Sequence, residues 1–293
     1  MKKEIQTETK TEPKITHCLN CDTEFEGNFC PECGQSAETG RFTMRFILEN
    51  LLAAFLSKDG GIWFTLKNLF TRPGAMIVEI LNGKRRRYFS PFPMLFCVLT
   101  VYILLYTLTG SRDSFKTIEH EFLDEGTTAA NIEVDINLGK ETKETVPLAN
   151  DLKRLVGMGF RFYNSHYTAV TLLTIPFFLF ATRSWYGKRN RKRYYRAEYL
   201  VAIAYSLVMV VLYRCLSSLV YLFSKGTAET ISSFIPLATI VAFTVCFQKM
   251  LGFNLVKTAW RSLLALVLYY LILGVILLIA AILFYLFVKS KYA

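Results

Sequence analysis

This sequence is short of charge. Asp, Glu, Lys and Arg make up 19% of its 293 residues, below the roughly 25% of an ordinary soluble domain, while hydrophobic residues reach 53% and aromatics 15%. A large soluble core is therefore excluded in favour of a chain that enters the bilayer repeatedly. The N-terminus, MKKEIQTETKTEPKIT, lacks an apolar core, so no signal peptide is expected and residues 1–16 read as a disordered tail. No cysteine falls in the stretch 110–166, which leaves no disulfide framework there. Catalytic sets are missing as well. His17, His120 and His166 are scattered, and His120-Glu121 lacks the second His of a zinc-protease helix. Gly157-Met-Gly159 lacks the third glycine and the strand–turn–helix setting of a phosphate loop, and no GxSxG elbow occurs. Paired carboxylates of the kind a proton-coupled carrier needs are absent from the apolar runs. The expectation is a non-enzymatic protein.

Four of the seven cysteines stand together as Cys18-Leu-Asn-Cys21 and Cys30-Pro-Glu-Cys33-Gly34. Two such knuckles can place four thiolates around one tetrahedral ion, as structural zinc prefers. Gly34 supplies a tight turn after the second knuckle, and Phe25 and Phe29 can pack on a unit whose folding energy comes from its metal. A redox pair is the competing reading, but it usually comes as a single CxxC within a βαβ unit, which is absent. Cys18, Cys21, Cys30 and Cys33 are thus the candidate ligands of one zinc ion, in a ribbon over 17–40. Between Cys18 and Gly40 lie Asp22, Glu24, Glu26, Glu32 and Glu38 and no Lys or Arg. An acidic ribbon repels phosphates, so a cytosolic protein partner fits and nucleic acid does not. The ribbon could also dock on the basic junction of its own chain.

Residues 41–90 hold three apolar segments too short or too charged to span: 42–56 with helical spacing, IWFTLKNLF, and Ala75–Leu81. They read as amphipathic helices at the membrane interface, with a small soluble helical subdomain as the alternative. Five spans follow over 91–293: Phe92–Leu108, Tyr167–Trp185 with Pro176 inside, Tyr199–Phe223, Ile231–Phe247 and Leu263–Val288. The weakest of these is Ile231–Phe247, which could instead be re-entrant. The long loop 110–166 alternates Ile132, Val134, Ile136 and Leu138 with polar residues, a strand pattern, and Lys225–Thr230 and Lys249–Arg261 read as connections. Arg214, inside the third span, reads as snorkelling to the outer boundary rather than binding a substrate.

Charge is partitioned along the chain. Residues 41–90 carry nine basic and three acidic side chains, 183–198 seven and one, and 110–166 seven and ten. With the N-terminus in the cytosol, the basic segments fall on that side and the acidic loop and C-terminus outside, as the positive-inside rule requires. Lys84, Arg85, Arg86 and Arg87, and Lys188, Arg189, Arg191, Lys192 and Arg193, are candidate contacts for anionic lipid headgroups; setting topology alone is the plainer reading.

Taken together, these motifs resemble an uncharacterised bacterial membrane family catalogued as domain of unknown function 3667. The resemblance rests on the knuckle pair ending in Cys33-Gly34-Gln35, on Asp59-Gly60, Thr65 and Pro73-Gly74, and on Gly83-Lys84-Arg85, Tyr88 and Pro91, and covers about residues 18–100. It implies a bacterial inner-membrane location and no known activity. The overall expectation is an all-α integral membrane protein with about five transmembrane helices, an N-terminal zinc ribbon and interfacial helices. A scaffold or regulator recruiting a cytosolic protein fits best, and a small transporter or lipid-handling protein is the alternative.

Overall fold

A computed structural model describes residues 15–47, 61–109, 167–186 and 193–292. Most of the expected tail, the end of the first interfacial segment, the loop 110–166 with its strand pattern, and Lys188, Arg189, Arg191 and Lys192 lie outside the described residues.

The ribbon opens with two short antiparallel strands, β1 (Thr16–His17) and β2 (Glu24–Phe25), paired Thr16 to Phe25 and His17 to Glu24. The rest is helical. Helix α1 (Ile62–Thr71) and α2 (Pro73–Leu81) are separated at Arg72, where Pro73 starts α2 because a first-turn proline loses no hydrogen bond. Then come α3 (Pro91–Leu108), α4 (Tyr167–Trp185), α5 (Arg196–Tyr221), α6 (Lys225–Ser233), α7 (Ile235–Leu251) and α8 (Leu255–Tyr292).

By length and composition, three of these helices can cross a membrane: α3, α5 and the Leu255–Ile276 part of α8. The pair α6 and α7, bent by 48°, makes a fourth if the two form one span. The chain is thus a mostly helical membrane protein with three or four such helices among the described residues. Helix α4 is 19 residues long and carries Pro176.

Helix α5 lies at the centre, with α3, α4 and α7 packed along it. Tyr199, Val201, Ala202, Ile203, Ala204, Tyr205 and Ser206 are fully buried, and the small residues among them let neighbouring backbones approach closely. A column of rings ties α4, α7 and α8 together. Phe178 stacks on Tyr269 at 3.7 Å and on Phe243 at 5.3 Å, and Phe247 stacks on Tyr186 at 4.9 Å. Each such pair contributes on the order of 1 kcal/mol beyond buried area.

Two connections differ from the sequence expectation. Lys225–Thr230 is the body of α6, not a turn: the Ser224 hydroxyl accepts from the Thr227 N–H at 3.4 Å and starts a helix there. Pro236, in the first turn of α7, then marks the break. The expected loop Lys249–Arg261 shrinks to the few residues around Gly252, whose left-handed conformation (φ 66°) ends α7. Lys249 sits in the last turn of α7, where the helix dipole favours a cation, while Lys257 and Arg261 belong to α8.

The short helix α2 buries Met76, Ile77 and Ile80 and packs on α7, so protein covers its apolar face. Helix α1 keeps Trp63 (81% exposed) and Phe70 turned outward. Gly74 is where α2 meets α7: a Cβ there would stand 2.8 Å from the Val245 carbonyl oxygen and 3.2 Å from Lys249 Cβ. Gly74→Ala should therefore lower the unfolding temperature in detergent, by the equivalent of about 1–3 kcal/mol for overpacking, although alanine favours an isolated helix. An unchanged or raised midpoint would show that the two helices are not in contact.

Candidate metal centre and its seat

The four sequence-predicted ligands come together. The Sγ atoms of Cys18, Cys21, Cys30 and Cys33 all lie within 4.8 Å of one another, with Cys18–Cys33 and Cys21–Cys30 at 3.5 Å and Cys21–Cys33 at 3.6 Å. A tetrahedral ion with sulfur ligands at about 2.3 Å requires sulfur–sulfur edges of about 3.8 Å, close to these separations. The set can hold a metal ion. Among tetrahedral sulfur sites both zinc and iron–sulfur chemistry occur, so geometry alone selects a class of ion.

Each knuckle turns in the same way. The Asp22 N–H donates to the Cys18 carbonyl and the Gly34 N–H to the Cys30 carbonyl, at 2.9 and 2.8 Å. Gly34 has φ 71° and Asp22, the matching residue of the first knuckle, has φ 61°. Asp is among the few side chains that tolerate this region, which is why the first knuckle works without a glycine. Burial pushes the Cys18 thiol up to about 12, while hydrogen bonding by Thr23 brings Cys21 down to about 6. A bound cation would hold both as thiolates and offset the burial at Cys18. Phe25 packs with Cys18 and Cys30 in a small core of its own, as expected. Phe29 does not; it is 67% exposed and turned away from the cysteines.

The ribbon is seated on the basic loop of its own chain. Gln35, buried at 6% exposure, donates its amide N–H to the Gly83 carbonyl at 2.8 Å. Its amide oxygen faces the Arg85 and Arg86 N–H groups, each at 3.3 Å. The Arg86 guanidinium donates to the Cys33 carbonyl at 3.3 Å, and the Arg87 N–H donates to the Asn20 side chain at 3.2 Å. Both knuckles therefore grip one loop. Gly83, at φ 109°, must be glycine, because a Cβ would fall 2.6 Å from Leu19 Cδ1.

Behind the seat the loop is braced by a second network. The Tyr88 hydroxyl donates to Glu79 at 2.6 Å, Arg72 bonds Glu79 at 2.9 Å and Asn68 at 2.6 Å, and the Phe89 N–H donates to Thr65 at 2.8 Å. Burial, with the bond to Glu79, pushes the Tyr88 hydroxyl up to about 12, so it stays a donor at neutral pH.

A third attachment joins the segment leaving the ribbon to α5. Arg41 forks onto Glu198 through Nε at 2.8 Å and Nη2 at 2.6 Å, and also donates to the Arg193 carbonyl at 2.8 Å. Glu198 is only 2% exposed, so its charge needs this partner. The same carboxylate accepts from the Tyr195 N–H at 2.8 Å and caps α5.

Of the candidate lipid contacts, Arg85 is stacked over Phe42 at 3.8 Å and donates to the Gly40 carbonyl, and Arg87 lies over Phe64 at 4.9 Å. Lys84 is half-buried, and Arg193 is exposed with its charge 5.4 Å above Tyr194. Arg214 is half-buried on α5. Sequence reasoning missed Asn20, Arg41 and Glu198. Glu198 could have been found as the lone acid of a basic block three residues after an N-cap position.

The bracing residues Thr65, Pro73-Gly74, Gly83, Tyr88 and Pro91 fall within one comparison result. Residues 59–103 match a family model. Its description is Protein of unknown function (DUF3667), the family that the motifs resemble. The DUF3667 match covers α1, α2, the basic loop and most of α3, and begins after the ribbon. No curated protein and no solved structure matches the chain.

Gln35→Leu should remove three hydrogen bonds between ribbon and loop, with the Arg85 N–H keeping its bond to the Gly83 carbonyl, at a cost of about 1–3 kcal/mol. Amide exchange at Gly83–Arg87 should then rise by roughly tenfold or more while metal content stays the same. Unchanged exchange would show that the ribbon does not hold the loop.

Proposed function

We propose that this chain is a non-enzymatic membrane scaffold or regulator whose zinc-loaded ribbon recruits a cytosolic protein. It would lie in a bacterial inner membrane with five spans, the N-terminus in the cytosol and the C-terminus outside. The observation that carries the reading is the ribbon's two-sidedness. One side is taken up by the basic loop through Gln35, Asn20 and Cys33, and Glu38 lies beside that loop, while Asp22, Glu24, Glu26 and Glu32 are exposed. With a further two or so negative charges from a zinc tetrathiolate, that face suits a partner with a basic surface and repels nucleic acid.

The topology is supported by contacts that gather the basic segments at one end. Arg41 joins Glu198 and Arg193, Arg261 donates to the Tyr186 carbonyl at 3.3 Å, and Gly74 packs on Lys249. Helix α8 starts at that end and runs for 38 residues, about 57 Å at the helical rise, long enough to reach the opposite side as this topology requires. Five spans then require α4 to cross and α6 with α7 to cross as one bent helix.

A small transporter or lipid-handling protein is the second reading. Pro176 within α4 and the 48° break between α6 and α7 favour it, since interrupted helices line many transport sites.

The test is affinity capture from native membranes with three proteins at matched abundance: the intact chain, a Cys30→Ser/Cys33→Ser double variant, and a Glu24→Gln/Glu26→Gln/Glu32→Gln triple variant that retains its metal. Scaffolding predicts about one zinc per intact chain and a cytosolic partner lost from both variants. Identical capture from all three would end the recruiting hypothesis; ribbon-independent solute or lipid movement in proteoliposomes would establish the second reading.

A further inference from the structure

Docking of the ribbon leaves a cleft of about 310 Å³ between the ribbon, the segment leaving it and the first turn of α3. Its lining combines cations with aromatic rings. Arg85, lying over Phe42 at 3.8 Å and Phe46 at 5.1 Å, and Arg86 supply the cations, with Glu38 the one carboxylate among the lining residues. Phe29, Phe46 and Phe92 make an aromatic wall that runs to the start of α3. Phe29, left 67% exposed, is otherwise an unexplained aromatic on a polar module.

We infer that this cleft binds the phosphate headgroup and upper acyl chain of an anionic phospholipid, with Arg85 and Arg86 on the phosphate and Phe29, Phe46 and Phe92 on the chain. Position argues for a lipid. If α3 crosses the bilayer, its first turn stands at headgroup depth, and the cleft opens where phosphates and first methylenes lie. The inference rests on α3 crossing the membrane and is independent of any recruited partner. Size argues the same way, since the volume suits a headgroup and a few methylenes, with the rest of the chain left in the bilayer.

Charge supports the anion. Two arginines against one glutamate leave the lining net positive, and the N-terminal end of α3 adds its partial positive charge. Arg85 is only partly compensated: its Nη2 bonds Gly40, but its Nε–H is buried without a hydrogen-bond partner. Burial also draws its guanidinium down to about 10, a cost that a phosphate oxygen nearby would reverse. Lys84 and Arg87, on the same loop, do not line the cleft, which separates a built site from a diffuse basic surface.

The experiment is native mass spectrometry of the delipidated full chain in detergent, titrated with dioleoyl phosphatidylglycerol and dioleoyl phosphatidylcholine in competition. The intact protein should favour the glycerol lipid by roughly tenfold, and Arg85→Gln should cut that preference about fivefold. Phe29→Asp, at an exposed position, should weaken binding without disturbing the core. Lys84→Gln/Arg87→Gln should leave the preference in place. Metal content of each variant shows whether its ribbon is intact. Equal binding of both lipids, loss of the preference in Lys84→Gln/Arg87→Gln instead of Arg85→Gln, or displacement of the lipid by millimolar glycerol phosphate alone would each overturn the site.

Discussion

The Gln35 side-chain amide is the contact on which the seating of the N-terminal ribbon depends. It lies between a module built around four clustered cysteines and a loop with no regular secondary structure, and it addresses three backbone groups of that loop at once. The Arg85 N–H also donates to the Gly83 carbonyl at 2.8 Å, and Gln35 ties this turn to the ribbon by bonding both of those groups and the Arg86 N–H. The dependence runs the other way too. The Arg86 guanidinium and Arg87 N–H bond atoms of both knuckles, so the loop in turn fixes how the ribbon stands on the helices.

Charge explains why the basic loop tolerates this burial. Arg85 lies over Phe42 at 3.8 Å and Phe46 at 5.1 Å, and Arg41 lies over Tyr195 at 4.0 Å while holding Glu198. Flat guanidinium groups stack on rings while their edges bond carbonyls and carboxylates, which lysines cannot do as well. That the loop reads Arg85, Arg86, Arg87 and not three lysines follows from these contacts. A topology signal alone would accept either residue.

Much of the candidate site was legible because its information is local. Knuckle spacing and the glycine after Cys33 are short-range patterns, and the structure has them as expected. The seat was not legible in the same way. Gln35 and Gly83 are 48 residues apart, and no periodicity connects them; each appeared only as part of its own motif. The reading failed in two instructive places. Lys225–Thr230 looked like a turn because it is polar, yet the Ser224 cap makes it helical. Phe29 was assigned to the metal core because small modules lack apolar residues, whereas Phe25 alone fills that core. Asp22 shows the converse: a left-handed position was hidden because the residue is not glycine.

The Arg41–Glu198 pair joins residues 157 positions apart, and that separation orders events during synthesis. A ribosome delivers the four cysteines first, the Gly83–Arg87 seat next, and Glu198 only after the chain through α4 has been made. The ribbon can therefore gather its four cysteines and settle on the loop while the central helix is still unmade. Glu198 then arrives as a buried carboxylate whose partner is already waiting, held at the exit of a finished module. The last strut between the ribbon and the helices closes only when α5 is set among its neighbours, which makes that ion pair a mark of completed assembly.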